Sequence, residues 1–169
     1  MVSDAPLQHG IVAVYEYAEA FNVTNNFTLL QKLTFAEQLA DLLDYMEHSP
    51  LGSLRMDDLK QENVRMVKGH IKLSDIDHLN SKEIECSQEC DHGVACENGR
   101  CVGLNARLNM ISADEKFFRY FLKDNDNAHG LQHQLQSISH KIISFKLTAG
   151  ELKIKLQNII SHLTYELKN

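Results

Sequence analysis

Three imidazoles and a thiolate stand in this chain at spacings that two helices and a loop could bring to one ion. They are His70, Cys96, His129 and His133. His70 is followed by Ile71-Lys72-Leu73, Cys96 opens Cys96-Glu97-Asn98-Gly99-Arg100-Cys101, and His129-Gly130-Leu131-Gln132-His133 closes the set. Residues four apart on a helix project from one face, so His129 and His133 can meet a single metal. Three nitrogens and one sulfur form a closed tetrahedral set of the kind zinc prefers. The pair lacks the intervening Glu that a zinc protease helix uses as general base, so a hydrolase of that type is disfavoured. A second register would use His78 and Cys101 with the same histidine pair.

The cysteines divide the possible chemistries. All four, Cys86, Cys90, Cys96 and Cys101, fall within 16 residues. Clustered thiols mean a two-disulfide loop in an oxidising compartment, or metal and redox chemistry in a reducing one.

Composition narrows the partners. The 169 residues carry 17 basic and 23 acidic side chains, a formal net charge of -6. Such a chain has little with which to neutralise phosphates, so nucleic acid and anionic membrane surfaces are disfavoured. The longest apolar run near the start, Ile11 to Val14, is too short for a leader or a spanning helix, which points to a cytoplasmic protein without membrane insertion. The sequons Asn22-Val23-Thr24 and Asn26-Phe27-Thr28 gain meaning only in a secreted chain.

The elements that would position these residues read as helical. Apolar residues at Ile11, Val14, Ala18 and Phe21 predict a helix over 6–21. Thr34-Phe35-Ala36-Glu37 reads as a capping box opening a second helix, ended by Ser49-Pro50-Leu51-Gly52. Residues 57–79 fit both a helix and an alternating strand. Helix is preferred because it carries His70 inward. Residues 80–103 form a loop with a tight turn at Asn98-Gly99, and 102–110 alternate like a short strand. Two further boxes, at Ser112 to Glu115 and Thr148 to Glu151, open helices. The stripes Leu131, Leu135, Ile138, Ile142 and Leu152, Leu156, Ile159, Leu163 mark the last two. The expected architecture is all-α: a four-helix zinc bundle over 57–169, with an N-terminal helical segment over 1–56 for dimerisation or docking.

The placement of His70, Leu73, Cys96, Gly99, His129 and His133 resembles the chemoreceptor zinc-binding domain of bacterial chemoreceptors and diguanylate cyclases. Lys72, Asn98 and Cys101 depart from its pattern, standing where aromatic, apolar and large residues are usual. The resemblance covers roughly residues 64–167. It implies Zn2+ held by three His and one Cys, a homodimer, and a sensory or regulatory role in bacterial signalling and chemotaxis. The output would lie in a partner, and the chain itself would catalyse nothing. The signal would be zinc or an oxidant attacking the zinc-held thiolate. Cys86, Cys90 or Cys101 would then be redox partners that resolve the oxidised sulfur. The alternative is a secreted helical binding protein in which the four cysteines form two disulfides around an EGF-like hairpin at 86–101.

Overall fold

The computed structural model describes residues 16–24, 26–123 and 131–166. Its order is β1 (Glu19–Ala20), α1 (Leu29–Glu47), β2 (Arg55–Met56), β3 (Val64–Val67), β4 (His70–Leu73), β5 (Leu79–Asn80), β6 (Ala95–Glu97), β7 (Arg100–Val102), α2 (Leu104–Ala113), α3 (Arg119–Phe121), α4 (Gln132–Ile143) and α5 (Ala149–Glu166). The described residues include three small antiparallel sheets, β1-β3-β4, β2-β5 and β6-β7. The all-α four-helix bundle is therefore overturned, and the fold is mixed.

Helix α1 starts six residues before the expected box. Thr28 is its cap: the Gln31 amide donates to Thr28 Oγ1 at 3.3 Å and the Thr28 amide to Gln31 Oε1 at 2.9 Å. Thr34 lies inside the helix, its hydroxyl bonded back to Leu30 O. Leu33, Ala36, Leu39, Ala40 and Leu43 give the helix one buried face, and that face packs on α5. The helix ends at His48, two residues before Pro50, whose ring and missing N–H forbid continuation. Helix α5 opens as expected, with the Thr148 amide on Glu151 Oε2 and the Glu151 amide on Thr148 Oγ1.

Residues 57–79 are not a helix. Val64–Val67 and His70–Leu73 pair as a hairpin in the register Val64↔Leu73 and Val67↔His70. Its turn, Lys68-Gly69, takes φ of 50° and 82°. Two consecutive left-handed residues match the twist of a two-residue hairpin loop, which a helix cannot use. The Gln38 side chain ties this hairpin to α1, accepting from the Ile71 amide at 2.8 Å and donating to Gly69 O at 3.2 Å.

Of residues 102–110, expected as a short strand, Val102 ends β7 and those from Leu104 onward belong to α2. The two oxygens of Glu83 accept from the Gly103 and Asn105 amides at 3.0 and 3.1 Å. A carboxylate at a helix N-terminus satisfies orphan amides and complements the dipole. The Ser112 box does not start a helix, because α2 passes through a π-helical turn over Asp114–Phe118 into α3. The wider turn re-aims the chain so that Phe117, Phe118 and Phe121 are all fully buried. Phe35 meets Phe21 and Phe27 edge to face, with centroids 5.3 and 4.9 Å away, and Phe21 meets Phe121 edge to face at 5.9 Å. One core thus draws residues from both sides of position 56. The predicted helix over 6–21 falls partly outside the described residues; from 16 onward the chain is extended, with β1 paired to β3.

Candidate functional site

Strands β2 and β5 pair with Arg55 opposite Asn80 and Met56 opposite Leu79. Everything between them leaves and returns at one place. Residues 57–63 lead out to the β3-β4 hairpin and residues 74–78 lead back, the Asp57 amide donating to His78 O at 3.3 Å. The two connecting segments are also stitched at the hairpin base, where the Ser74 amide donates to Asn63 O at 3.0 Å.

The outgoing loop is held by its own side chains. Asn63, 4% exposed, donates through Nδ2 to Asp58 O at 2.9 Å. Lys60 Nζ forms an ion pair with Asp58 Oδ2. The Lys60 hydrogen bond holds the Asp58 carboxyl below the usual carboxylate range, and Asp58 raises Lys60 in turn. The charge of Asp75, on the returning segment, also acts on Lys60. Asp75 Oδ1 accepts from the Asp77 amide at 3.2 Å, which fixes a turn just after the hairpin. Asp58, Lys60 and Asn63 thus form one hydrogen-bonded loop, and Asp75 stands on the segment stitched to it by the Ser74 amide on Asn63 O.

Helix α2 braces this unit from beneath. Asn109, 1% exposed, accepts from the Met56 amide through Oδ1 at 3.0 Å and donates through Nδ2 to Leu54 O at 2.8 Å. Asn105, fully buried, donates to Ser53 O at 2.8 Å. Polar side chains at such depth stay only if they satisfy backbone groups that would otherwise be orphaned.

The cysteines are all paired. Cys86 is bonded to Cys96 and Cys90 to Cys101. They clamp the β6-β7 hairpin, whose Asn98-Gly99 turn has φ of 52° and 77°, to the strand of chain before it. The tight turn is where the sequence places it. A sulfur in a disulfide is not a thiolate, so Cys96 and Cys101 carry no free ligand and Cys86, Cys90 and Cys101 no free resolving thiol. His70 is exposed on β4, His78 on the returning segment and His133 on α4, while His129 lies outside the described residues. Among the described residues, the His, Cys, Asp and Glu atoms that converge within 4.8 Å are those of Cys86, Cys90 and Cys101, and of Asp44, Glu47 and His48. His70 and His133 belong to neither group.

No protein-family model matches the chain, and no solved structure matches it. Over 135 residues, 74% of the chain, it is 32% identical to the Homo sapiens extracellular tyrosine-protein kinase PKDCC. The match spans about a quarter of that relative, 26% of its length. These findings overturn the resemblance to the chemoreceptor zinc-binding domain, and with it the picture of a cytoplasmic chemotaxis sensor built as a helical bundle. Two disulfides and an extracellular relative favour the secreted alternative, since disulfides persist in oxidising compartments.

The residues missed in the sequence are Asp58, Lys60, Asn63 and Asp75. Their signal was an Asp-Leu followed by Asn five positions after the Asp, then a turn-containing pair of strands and a second Asp. Protein kinases carry H-R-D-L-x-x-x-N and then D-F-G. Asp58, Leu59 and Asn63 fall on the first motif and Asp75 on the second. Met56 and Asp57 replace its His and Arg, and Ile76 and Asp77 replace Phe and Gly.

Proposed function

We propose that this chain carries the acceptor-orienting and metal-holding part of a secreted phosphoryl-transfer protein of the kinase type. The observation that supports this reading most is the loop Asp58 to Asn63, tied internally through Asn63 Nδ2 and Lys60 and stitched to the segment bearing Asp75. In kinases the corresponding Asp accepts the substrate hydroxyl, and the Asn and the second Asp hold the magnesium ions on the nucleotide phosphates.

The donor set suits magnesium. Asn63 commits its amide nitrogen to Asp58 O, which leaves its oxygen as the end able to face a cation. Asp75 adds a carboxylate, and oxygen ligands are what a hard cation requires. Bound magnesium would neutralise charge developing on the transferred phosphoryl group. Asp58 would receive a hydrogen bond from the acceptor hydroxyl and aim its oxygen at the phosphorus. Lys60 keeps Asp58 ionised, so Asp58 is a weak base but a fixed acceptor. That is sufficient where catalysis is mostly positioning and electrostatics. The relative's designation makes a protein tyrosine the first acceptor to try. The sequence contains no G-x-G-x-x-G loop to cover the phosphates, so the proposal assigns this chain only the acceptor and metal side.

The test pairs binding with transfer. Magnesium and ATP together should raise the thermal midpoint of the wild type, and Asn63→Ala and Asp75→Asn should abolish that rise. Asp58→Asn should keep the rise while tyrosine phosphorylation falls about 100-fold or more. A wild type showing neither response, or an Asp58→Asn variant with undiminished transfer, refutes the proposal.

A further inference from the structure

We infer that Asn22 is an N-glycosylation site, and that Asn22, rather than Asn26, is the acceptor of the paired sequons. The inference rests on the secreted reading and is independent of phosphoryl transfer. Asn22-Val23-Thr24 and Asn26-Phe27-Thr28 both have the sequence that the reaction needs, but they are used differently by the fold.

In the first sequon, Asn22 and Thr24 are exposed and alternate with the buried anchors Phe21 and Val23. Thr24 donates twice to Asn22 Oδ1, from its amide at 2.9 Å and from its hydroxyl at 2.8 Å. This is an Asx turn, a local contact between residues two apart that needs no tertiary structure to form. Both bonds fall on the carbonyl oxygen. Among the described residues nothing engages Asn22 Nδ2, the atom that would carry the sugar. Glycosylation turns the primary carboxamide into a secondary one and leaves its oxygen in place, so the turn survives modification.

In the second sequon the threonine is already employed. The Thr28 hydroxyl donates to Gln31 Oε1 at 3.1 Å and accepts from the Gln31 amide, and the Thr28 amide donates to Gln31 Oε1. That capping box starts α1 and commits the Thr28 hydroxyl to Gln31. Phe27, between them, packs into the aromatic cluster with centroids 4.9 Å from Phe35. A glycan on Asn26 would stand beside a ring the core needs and a cap the helix needs.

The reaction requires a lipid-linked pyrophosphoryl oligosaccharide as donor. The Asn22 Nδ2 bond to the anomeric carbon forms and the anomeric carbon–oxygen bond to pyrophosphate breaks. One amide proton is lost, and the lipid pyrophosphate leaves. Once attached, the glycan stands close to the catalytic-type loop, because the Val23 amide donates to Gln61 Oε1 at 3.3 Å.

The experiment is translation of the full chain behind a cleavable leader into microsomes, with glycosidase digestion and peptide mass spectrometry. Disulfide formation is scored on the same material. The expected result is a glycosidase-sensitive mobility shift kept by Asn26→Gln and by Thr24→Ser, which preserves the sequon, and lost in Thr24→Ala. Asn22 should be read as aspartate after enzymatic sugar removal. Disulfide-bonded protein without sugar on Asn22, or with sugar on Asn26 alone, overturns the inference and leaves the secreted reading standing. Sugar on Asn22 in a protein inert towards magnesium and ATP refutes the kinase reading alone.

Discussion

Asn105 and Asn109 offer a matched pair in which the same substitution should have unequal effects. Both are essentially fully buried on α2, and each alanine variant removes the same side-chain atoms. Asn109→Ala orphans the buried Met56 amide and removes the donor to Leu54 O. An unsatisfied buried group costs about 1–3 kcal/mol, and a lost bond to a half-buried carbonyl about 0.5–1.5 kcal/mol. The expected loss from these two is thus about 1.5–4.5 kcal/mol. Asn105→Ala loses one bond to Ser53 O, but it also removes Asn105 Oδ1, a buried oxygen with no partner among the described residues. Relieving that oxygen offsets the lost bond, and the net change should be about 1 kcal/mol or less. Equilibrium urea unfolding at neutral pH with the disulfides intact measures both variants, and the difference between them removes the shared truncation. Equal losses, or a larger loss at Asn105, would refute the claim that Asn109 holds up the strand entering the Asp58 loop.

Two further predictions concern the buried carboxyl and the clamp. Asp114 is 6% exposed, with one oxygen 3.6 Å from Arg119 Nη2 and the other without a partner among the described residues, and burial pushes its carboxyl above the ordinary value. A raised folded value means its contribution is present below the unfolded pKa and is lost as pH climbs through the folded one. Asp114→Asn should therefore raise stability at neutral pH by about 1 kcal/mol and flatten the dependence above about pH 4; an unfolding series that steepens instead would count against it. Replacing Cys86 and Cys96 together by Ser opens a loop with a sequence separation of 10, and should lower unfolding stability by about 2–3 kcal/mol. No change would mean that the hairpin contributes nothing to the cooperative unit.

What could be read in the sequence was local. The stripes of α4 and α5, the Thr148 box and the Asn98-Gly99 turn each depend on residues within a few positions, and the structure has them. The errors came where distant groups decide. Residues 102–110 alternate like a strand, yet Glu83, twenty residues before Gly103, caps those from Leu104 onward as a helix. Lys68-Gly69 is a turn because Val64–Val67 and His70–Leu73 find each other and Gln38 of α1. The histidine and cysteine spacing drew attention by residue type alone. Asp58, Lys60, Asn63 and Asp75 are ordinary polar residue types, and only the hairpin between them brings their two segments together.

The two cystine bridges interleave, since Cys90 lies inside the Cys86–Cys96 ring and Cys96 inside the Cys90–Cys101 ring. Every peptide bond from Cys86 to Cys101 is therefore enclosed by at least one ring. A protease that nicks any of them releases no fragment: both sides remain one covalent object until a reductant arrives. In an environment rich in proteases, a cut there would be visible on a reducing gel and silent on a non-reducing one.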